Sequence, residues 1–409
     1  MIGLKTFIFA PETFNLAETT RMIEVAKEFD EEANCLFIGY STEFSSIIED
    51  EGFSFTLLTP TLTKKQISHI MKFDQGKSLK NPFDYNLLKE RIEAELIFIE
   101  KTKPNAIIIG TTISLLISAR VKEIPLIYAK PFALSRGHLE SDSFLNGIPG
   151  RKLISQLALK LKWLPKDMKK IIKEYHVEKI FSYTIDALDA DLNCITTPEI
   201  FTQNARLPNN SQYVGPIFAN LNTPIPEKIN KLIKTTDKPI IFCSLGSSAN
   251  SKLVFQVLQN IEGLDVEVIS PMKYFLNEEQ IEKLPQNIHL FDWLPALKVQ
   301  LLVDASVLHG GEGTIQTTCF SGKPFMGIEL QAEQTYNINS CVTYGNAINF
   351  KLKKVKQKNL FQSKVIELLT NQNLINKANE LKIYFDKEET GAKKTYHLIN
   401  TYLTKQKEI

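Results

Sequence analysis

The chain alternates between short apolar runs and longer stretches with apolar residues at three- and four-residue spacing, and it does so in two separate series. Short apolar runs read as buried strands and the spaced stretches as amphipathic helices. A chain patterned this way is confined to βαβ units and a mainly parallel sheet. In the first series, residues 2–10, 34–39, 53–58, 106–109 and 125–128 read as strands. Residues 16–29 read as a helix carrying Leu16, Met22, Ile23, Val25, Ala26 and Phe29, and 85–101 as a longer one. The second series starts after residue 236, with strands expected at 239–245, 265–269, 288–291, 305–308 and 324–327 and a helix at 253–259. The expected fold class is α/β: two doubly wound domains facing each other across a cleft, with ligands beyond the carboxyl ends of the strands.

A length of 409 residues agrees with two domains, at roughly 100–200 residues each. We expect an N-terminal domain over 1–215, a semi-rigid linker over 216–238 carrying Pro224 and Pro226, a C-terminal domain over 239–390, and a closing helix over 391–409. Lys and Arg total 48 against 46 Asp and Glu, a formal charge of +2. This near balance argues against nucleic acid as the main partner. With 43% hydrophobic residues the chain is not a disordered one. Five scattered cysteines without a CxxC pair make a disulfide framework or zinc site unexpected and suit a reducing compartment. No apolar stretch approaches the ~20 residues that span a bilayer, and the N-terminus lacks a signal-peptide pattern. The expected localisation is cytoplasmic.

The most informative segment runs from Ala305 to Thr317. An apolar strand leads into His309-Gly310-Gly311-Glu312-Gly313-Thr314, then a helix. Glycines let backbone approach a bulky anion and adopt positive φ. A helix start offers free N–H groups and the positive end of a dipole. Thr314 is expected to cap that helix and to offer its hydroxyl to a phosphate. The pattern is neither a Walker A loop nor a GxGxxG fingerprint. A tight, capped strand-to-helix turn without ligand is the structural alternative. Upstream lies Asp292-Trp293-Leu294-Pro295, whose Trp293 either stacks on a planar base or fills a core. Downstream, Glu333-Gln334 either hydrogen-bonds vicinal sugar hydroxyls or belongs to a solvated loop.

Taken together, Phe242-Cys243-Ser244-Leu245-Gly246-Ser247, Trp293-Leu294-Pro295, the 309–314 loop, and Glu333-Gln334 with Asn337 resemble the donor half of nucleotide-sugar glycosyltransferases. The resemblance is to the type found in glucuronosyltransferases and bacterial macrolide glycosyltransferases. It is specific over about 240–350 and only architectural elsewhere. It implies the GT-B fold of two Rossmann-like domains, no cofactor and no metal, with a nucleotide diphosphate sugar such as a UDP-sugar as donor. By that resemblance Trp293 stacks on the nucleobase. Ser247 and the loop, His309, Gly310, Gly311, Gly313 and Thr314, hold the diphosphate. Gln316 and Thr317 lie where the ribose is bound, and Glu333 and Gln334 grip the sugar.

The sequence departs from the pattern at several positions. Ala296 stands where a Gln often follows Trp-x-Pro, and Thr317 where many members carry a ribose-binding Glu. Glu312 adds a negative charge to an anion-binding loop and is expected to point away from the phosphates. The family's general base, a His in the first strand-to-helix turn, aligns with Glu18, and its steering Asp aligns with Gly110-Thr111-Thr112. Both members are thus replaced together, which is coherent because a carboxylate base needs no orienting partner. Glu18 is the candidate catalytic base; alternatively it only favours the helix N-terminus by charge–dipole attraction. Glu12, Thr13 and Asn15 share its turn and are candidate acceptor contacts.

Residues 151–174 contain eight Lys or Arg and two acids, with Leu153, Ile154, Leu157, Leu161 and Leu164 at helical spacing. A basic amphipathic helix there either lies on an anionic membrane or admits a lipid-like acceptor, or it packs on its own domain with a solvated basic face. Trp163, Phe132, Phe144 and Phe181 are candidate acceptor-pocket walls or core. The expected activity is an inverting, metal-independent transfer of a sugar to a hydroxyl of a small apolar acceptor. A nucleotide-sugar epimerase on the same fold and a degenerate, non-catalytic binding or activator protein are the alternatives.

Overall fold

The computed structural model describes residues 4–29, 33–74, 78, 80–145, 148–202, 205–220, 223–246 and 249–407. The chain forms two compact units, Met1–Ala219 together with Thr390–Ile409, and Asn220–Glu389. Each is built on a parallel sheet, so the α/β, doubly wound architecture is the one observed.

The first unit holds β1 (Lys5–Ala10), β2 (Ala33–Gly39), β3 (Ser54–Leu57), β4 (Ala106–Ile109), β5 (Leu126–Lys130), β6 (Leu192–Ile195) and β7 (Ser211–Tyr213), in the order β3-β2-β1-β4-β5-β6-β7. Alternate residues of its central strands enter opposite layers. Phe7, Phe9, Ala106 and Ile108 pack on one face, and Ile8, Ala10, Ile107 and Ile109 on the other. Both faces are covered, which is why these strands read as unbroken apolar runs rather than as an alternation. The helix Leu16–Lys27 covers the first face with Met22, Ile23, Val25 and Ala26. Ala392 and Ile399 of the closing helix Gly391–Lys407 join the same layer, and Tyr396 meets Phe29 edge-on at 5.0 Å.

The second unit holds β8 (Ile240–Ser244), β9 (Glu267–Ser270), β10 (Ile288–Leu290), β11 (Ala305–Leu308), β12 (Phe325–Gly327) and β13 (Ala347–Asn349), in the order β10-β9-β8-β11-β12-β13. In both sheets the chain builds outward one way, returns to the centre, and builds outward the other way. The reversal falls between β1 and β4 in the first sheet and between β8 and β11 in the second. Ligands of open α/β sheets bind in the crevice at such a reversal.

Two local expectations differ from the structure. Within 216–238, Glu227–Thr235 is a helix with Ile229 fully buried, because an acidic first turn following Pro226 starts a helix where the prolines alone suggested extended chain. Residues 151–174 form two helices, Arg151–Leu159 and Lys166–Glu174, with Pro165 at the N-cap of the second. Proline has no N–H to extend the first helix and pushes its predecessor out of helical geometry. Lys166–Glu174 buries Met168, Ile171 and Ile172, while Arg151–Leu159 buries none of its residues. Of the candidate pocket walls, Phe132 and Phe181 are core, Phe144 is half-buried, and Trp163 is exposed.

Candidate functional site

In the second unit, β8 ends at Ser244 and is followed by Leu245 and Gly246, while its neighbour β11 ends at Leu308 and is followed by His309. The two ends meet at the imidazole. A Cβ on Gly246 would fall 2.4 Å from a His309 ring carbon, and one on Gly311 would fall 2.6 Å from Nε2. Both glycines are therefore required for the ring to lie between them, and Gly246 also has φ of +58°. His309 is buried, and burial pulls its pKa down to about 4, so it is a neutral ring at physiological pH.

Gly310 has φ of +91°, and a Cβ there would lie 2.7 Å from Ile338 and 2.9 Å from the carbonyl of Gln334. The helix Ala332–Tyr344 thus rests directly on the loop. Its Asn337 donates from Nδ2 to the Gly310 carbonyl at 3.1 Å and, at 3.4 Å, to Glu333 Oε1. Gln334 is buried, with Oε1 accepting from Leu330 N–H, whereas Glu333 is exposed in the helix's first turn. Glu333 and Gln334 are therefore brought to the loop through Asn337 and Gln334's own backbone.

The helix after the loop is Glu312–Ser321, with Gly311 at its N-cap and no side-chain cap. Thr314, expected to cap it, is its third residue, too far into the helix to accept from the amides that need a partner. Those of Glu312, Gly313 and Thr314 have no intrahelical acceptor by geometry, and a Cβ on Gly313 would meet nothing within 4 Å. Glu312 and Gln316 are buried, and Thr317 donates its hydroxyl to the Gly313 carbonyl at 2.7 Å. Trp293 follows β10 and is 42% exposed, so it is not a core residue. It immediately precedes Ala296–Gln300, a short helix that packs on Glu312–Ser321 with Gln300 accepting from Thr318. An open depression of about 660 Å³ lies beside it, lined by Lys273, Tyr274, Leu276, Ile281 and Asp292 among others. Ser247 lies outside the described residues.

The matching reversal in the first unit is filled by protein. Glu18, in the first turn of Leu16–Lys27, is buried and reaches across to β4. Its Oε2 accepts from the backbone N–H of Glu12 at 3.2 Å and of Thr111 at 3.0 Å. Its Oε1 accepts from Thr111 Oγ1 at 2.6 Å and Asn15 Nδ2 at 3.3 Å. A Cβ at Gly110 would fall 2.0 Å from Oε2, so glycine is what allows the carboxylate in. Asn15 is half-buried and caps the helix, accepting from Ala17 and Glu18 N–H. Thr13 is fully buried with its hydroxyl donated to the Ser41 carbonyl, which removes it from the groups able to touch an acceptor.

Sequence reasoning missed the group beneath this turn. Arg91, fully buried on the helix Tyr85–Thr102, donates from Nη2 to Glu12 Oε1 at 2.7 Å and lies over the Tyr40 ring at 3.8 Å. Tyr40, Ser114 and Ser118 all donate to the Glu95 carboxylate. Burial pushes both Glu12 and Glu95 upward in pKa, against the pull of Arg91. A signal was available: Leu88, Arg91, Ile92, Glu95 and Ile99 fall on one helix face, so the two charges share the apolar stripe.

Among the described residues no cluster of His, Cys, Asp and Glu is arranged to hold a metal, and no helix is long and apolar enough to cross a membrane. Residues 255–388 match the family model described as "Erythromycin biosynthesis protein CIII-like, C-terminal domain". The chain is 22% identical over 403 residues to a PGL/p-HBAD biosynthesis rhamnosyltransferase of Mycobacterium bovis (strain BCG / Pasteur 1173P2), covering 95% of this chain and 86% of that protein. Among solved structures, the glycotransferase of kitacinnamycin superposes with a TM-score of 0.71 at 16% identity, over 97% of this chain and 98% of the other. Glycosyltransferase VinC in complex with dTDP gives 0.69 at 12%, over 97% and 98%. The reversal built around His309, the two parallel sheets and these likenesses agree: the chain has the GT-B fold, and its residues 255–388 are similar to the C-terminal domain of macrolide and natural-product glycosyltransferases.

Proposed function

We propose that the chain is an inverting, metal-independent glycosyltransferase that moves a hexosyl group from a nucleoside diphosphate sugar to a hydroxyl of an apolar, natural-product or lipid-like acceptor. The observation that carries this is the start of Glu312–Ser321 directly after a glycine loop at the β8/β11 reversal. The backbone amides and the helix dipole at that point stabilise the diphosphate as its bond to the anomeric carbon breaks, without a metal. His309 stays neutral there, so it serves as a hydrogen-bonding ring rather than a counter-charge. Trp293 stacks on the base, and Glu333 with Gln334 holds the sugar. A dTDP-bound neighbour supports a pyrimidine diphosphate as the nucleotide part.

In this reading the first unit supplies the acceptor side and the second the donor side. Glu18 takes the acceptor's proton as the acceptor oxygen bonds to the anomeric carbon and the diphosphate leaves. Its two oxygens are unequal. Oε2 is held by two backbone amides, which cannot turn away, and Oε1 by two side chains, which can. An acceptor hydroxyl would therefore replace Thr111 Oγ1 at Oε1. Asn15 is the neighbouring polar contact.

Titration calorimetry with UDP and dTDP tests the donor site. Binding of one of them that weakens in His309→Ala is expected, and binding of neither removes the donor assignment. Glu18→Gln is expected to lower kcat about 10²–10⁴-fold with nucleotide affinity unchanged. A full rate in that variant leaves Glu18 as a structural clamp.

A further inference from the structure

Leu153, Leu157, Leu161 and Trp163 are 63%, 62%, 48% and 59% exposed, and Ile154 adds 39%. All belong to Arg151–Leu159 and the few residues after it. Single exposed leucines need no explanation, but a run of them with a tryptophan marks an interaction surface. The adjoining helix Lys166–Glu174 shows that this part of the chain is able to bury apolar side chains, since it places Met168, Ile171 and Ile172 in the core. The stripe just before it is left outside.

The charge carried by the stripe's own residues is of one sign, although Arg151 pairs with Asp142. Between 151 and 166 stand Arg151, Lys152, Lys160, Lys162 and Lys166, and no Asp or Glu. Lys160, Lys166 and Lys169 form no ion pair among the described residues. A second copy of the same surface would bring these cations together, which disfavours self-association. A bilayer containing anionic lipids offers both halves of the complement, phosphate for the lysines and an apolar boundary for the leucines, with the interfacial zone that tryptophan favours.

We infer that residues 151–166 are a docking surface for an anionic lipid bilayer, on which the protein lies peripherally. This goes beyond sugar transfer and does not rest on it: no residue of the glycine loop belongs to the stripe or its cations, and a lipid surface brings apolar molecules to whatever site the unit carries.

The test is flotation of the full chain with vesicles of phosphatidylcholine alone, or with about one-third phosphatidylglycerol. Trp163 and Trp293 are the two tryptophans. A Trp293→Phe background therefore makes Trp163 the reporter, used for spectroscopy only. The protein is expected to float with the anionic vesicles and not the neutral ones, with a blue shift of Trp163 emission that salt reverses. Leu157→Glu with Leu161→Glu should weaken partitioning at least tenfold, and each of Lys160→Glu and Lys166→Glu about fivefold. All four side chains are exposed, so circular dichroism and Tm should match the wild type. Absence of flotation, equal binding to neutral vesicles, or an unshifted Trp163 overturns the inference. So does a dimer in light scattering that the leucine variants split into monomers.

Discussion

The two sheets reverse direction in the same way, yet their reversal points are furnished oppositely. Between β8 and β11 the chain withdraws: Gly246 and Gly311 make room for a neutral imidazole, Gly310 for the helix Ala332–Tyr344, and the next helix begins at a glycine N-cap that offers no side chain of its own. Between β1 and β4 the chain fills the crevice with its own anion, the Glu18 carboxylate, received by backbone N–H groups much as a bound phosphate would be. One topology thus yields an anion receptor in one unit and an already occupied receptor in the other. Topology locates the crevice, and side-chain volume and charge decide what enters it.

The largest effect should come from the support beneath the occupied crevice. Arg91→Met leaves the Glu12 and Glu95 carboxylates buried without their cation, an expected loss of about 3–5 kcal/mol by denaturant unfolding. The sign with pH is set by the two acids. Their folded pKa values are already raised, so the folded state holds protons more readily and its penalty grows as pH rises through those values. The deficit of the variant should therefore be larger at neutral than at acid pH. A variant as stable as wild type would mean the pair does not support the turn.

Next is His309. Its pKa falls from 6.5 to about 4 on folding. The unfolded state therefore binds more protons between those values, and stability present above 6.5 is lost as pH falls toward 4, by roughly 3 kcal/mol. His138 in the first unit is displaced to a similar value by burial. The measure is therefore the difference between wild type and His309→Gln across pH 4–7, which should shrink on acidification.

The smallest and most discriminating test pairs two glycines. Gly310→Ala is strained by its positive φ and by Ile338, and Gly110→Ala drives its methyl into the Glu18 carboxylate. Each should cost about 1–3 kcal/mol. Nucleotide affinity should fall only in Gly310→Ala, and transfer rate at saturating donor should fall most in Gly110→Ala. If both change both, the two crevices are not separate in function.

Much of this was legible in the sequence because the relevant chemistry is local. Residues 106–109 and 305–308 are buried on both faces, so they appear as plain apolar runs and coincide with β4 and β11. The glycine loop was visible because a loop that must avoid side chains is written in glycine. The three-residue strands β7 and β13 were not visible, since Ser211-Gln212-Tyr213 and Ala347-Ile348-Asn349 are held by pairing to a neighbour rather than by their own pattern. Nor was the Glu18–Thr111 bracket, whose partners lie 93 positions apart. The continuous spacing of 151–174 suggested one helix because Pro165 interrupts it without disturbing the apolar rhythm.

The closing helix carries a consequence for biosynthesis. Ala392 and Ile399 complete the layer formed by Phe7, Phe9 and Met22, so the first unit is assembled from both extremities of the chain while the second is one continuous stretch between them. During translation the second unit has all its residues before the first one does. The early strands must wait, with one face covered only in part by Leu16–Lys27, until 391–407 emerge. In the language of folding kinetics, the unit made first is finished last, and that interval is when aggregation or chaperone capture competes with folding.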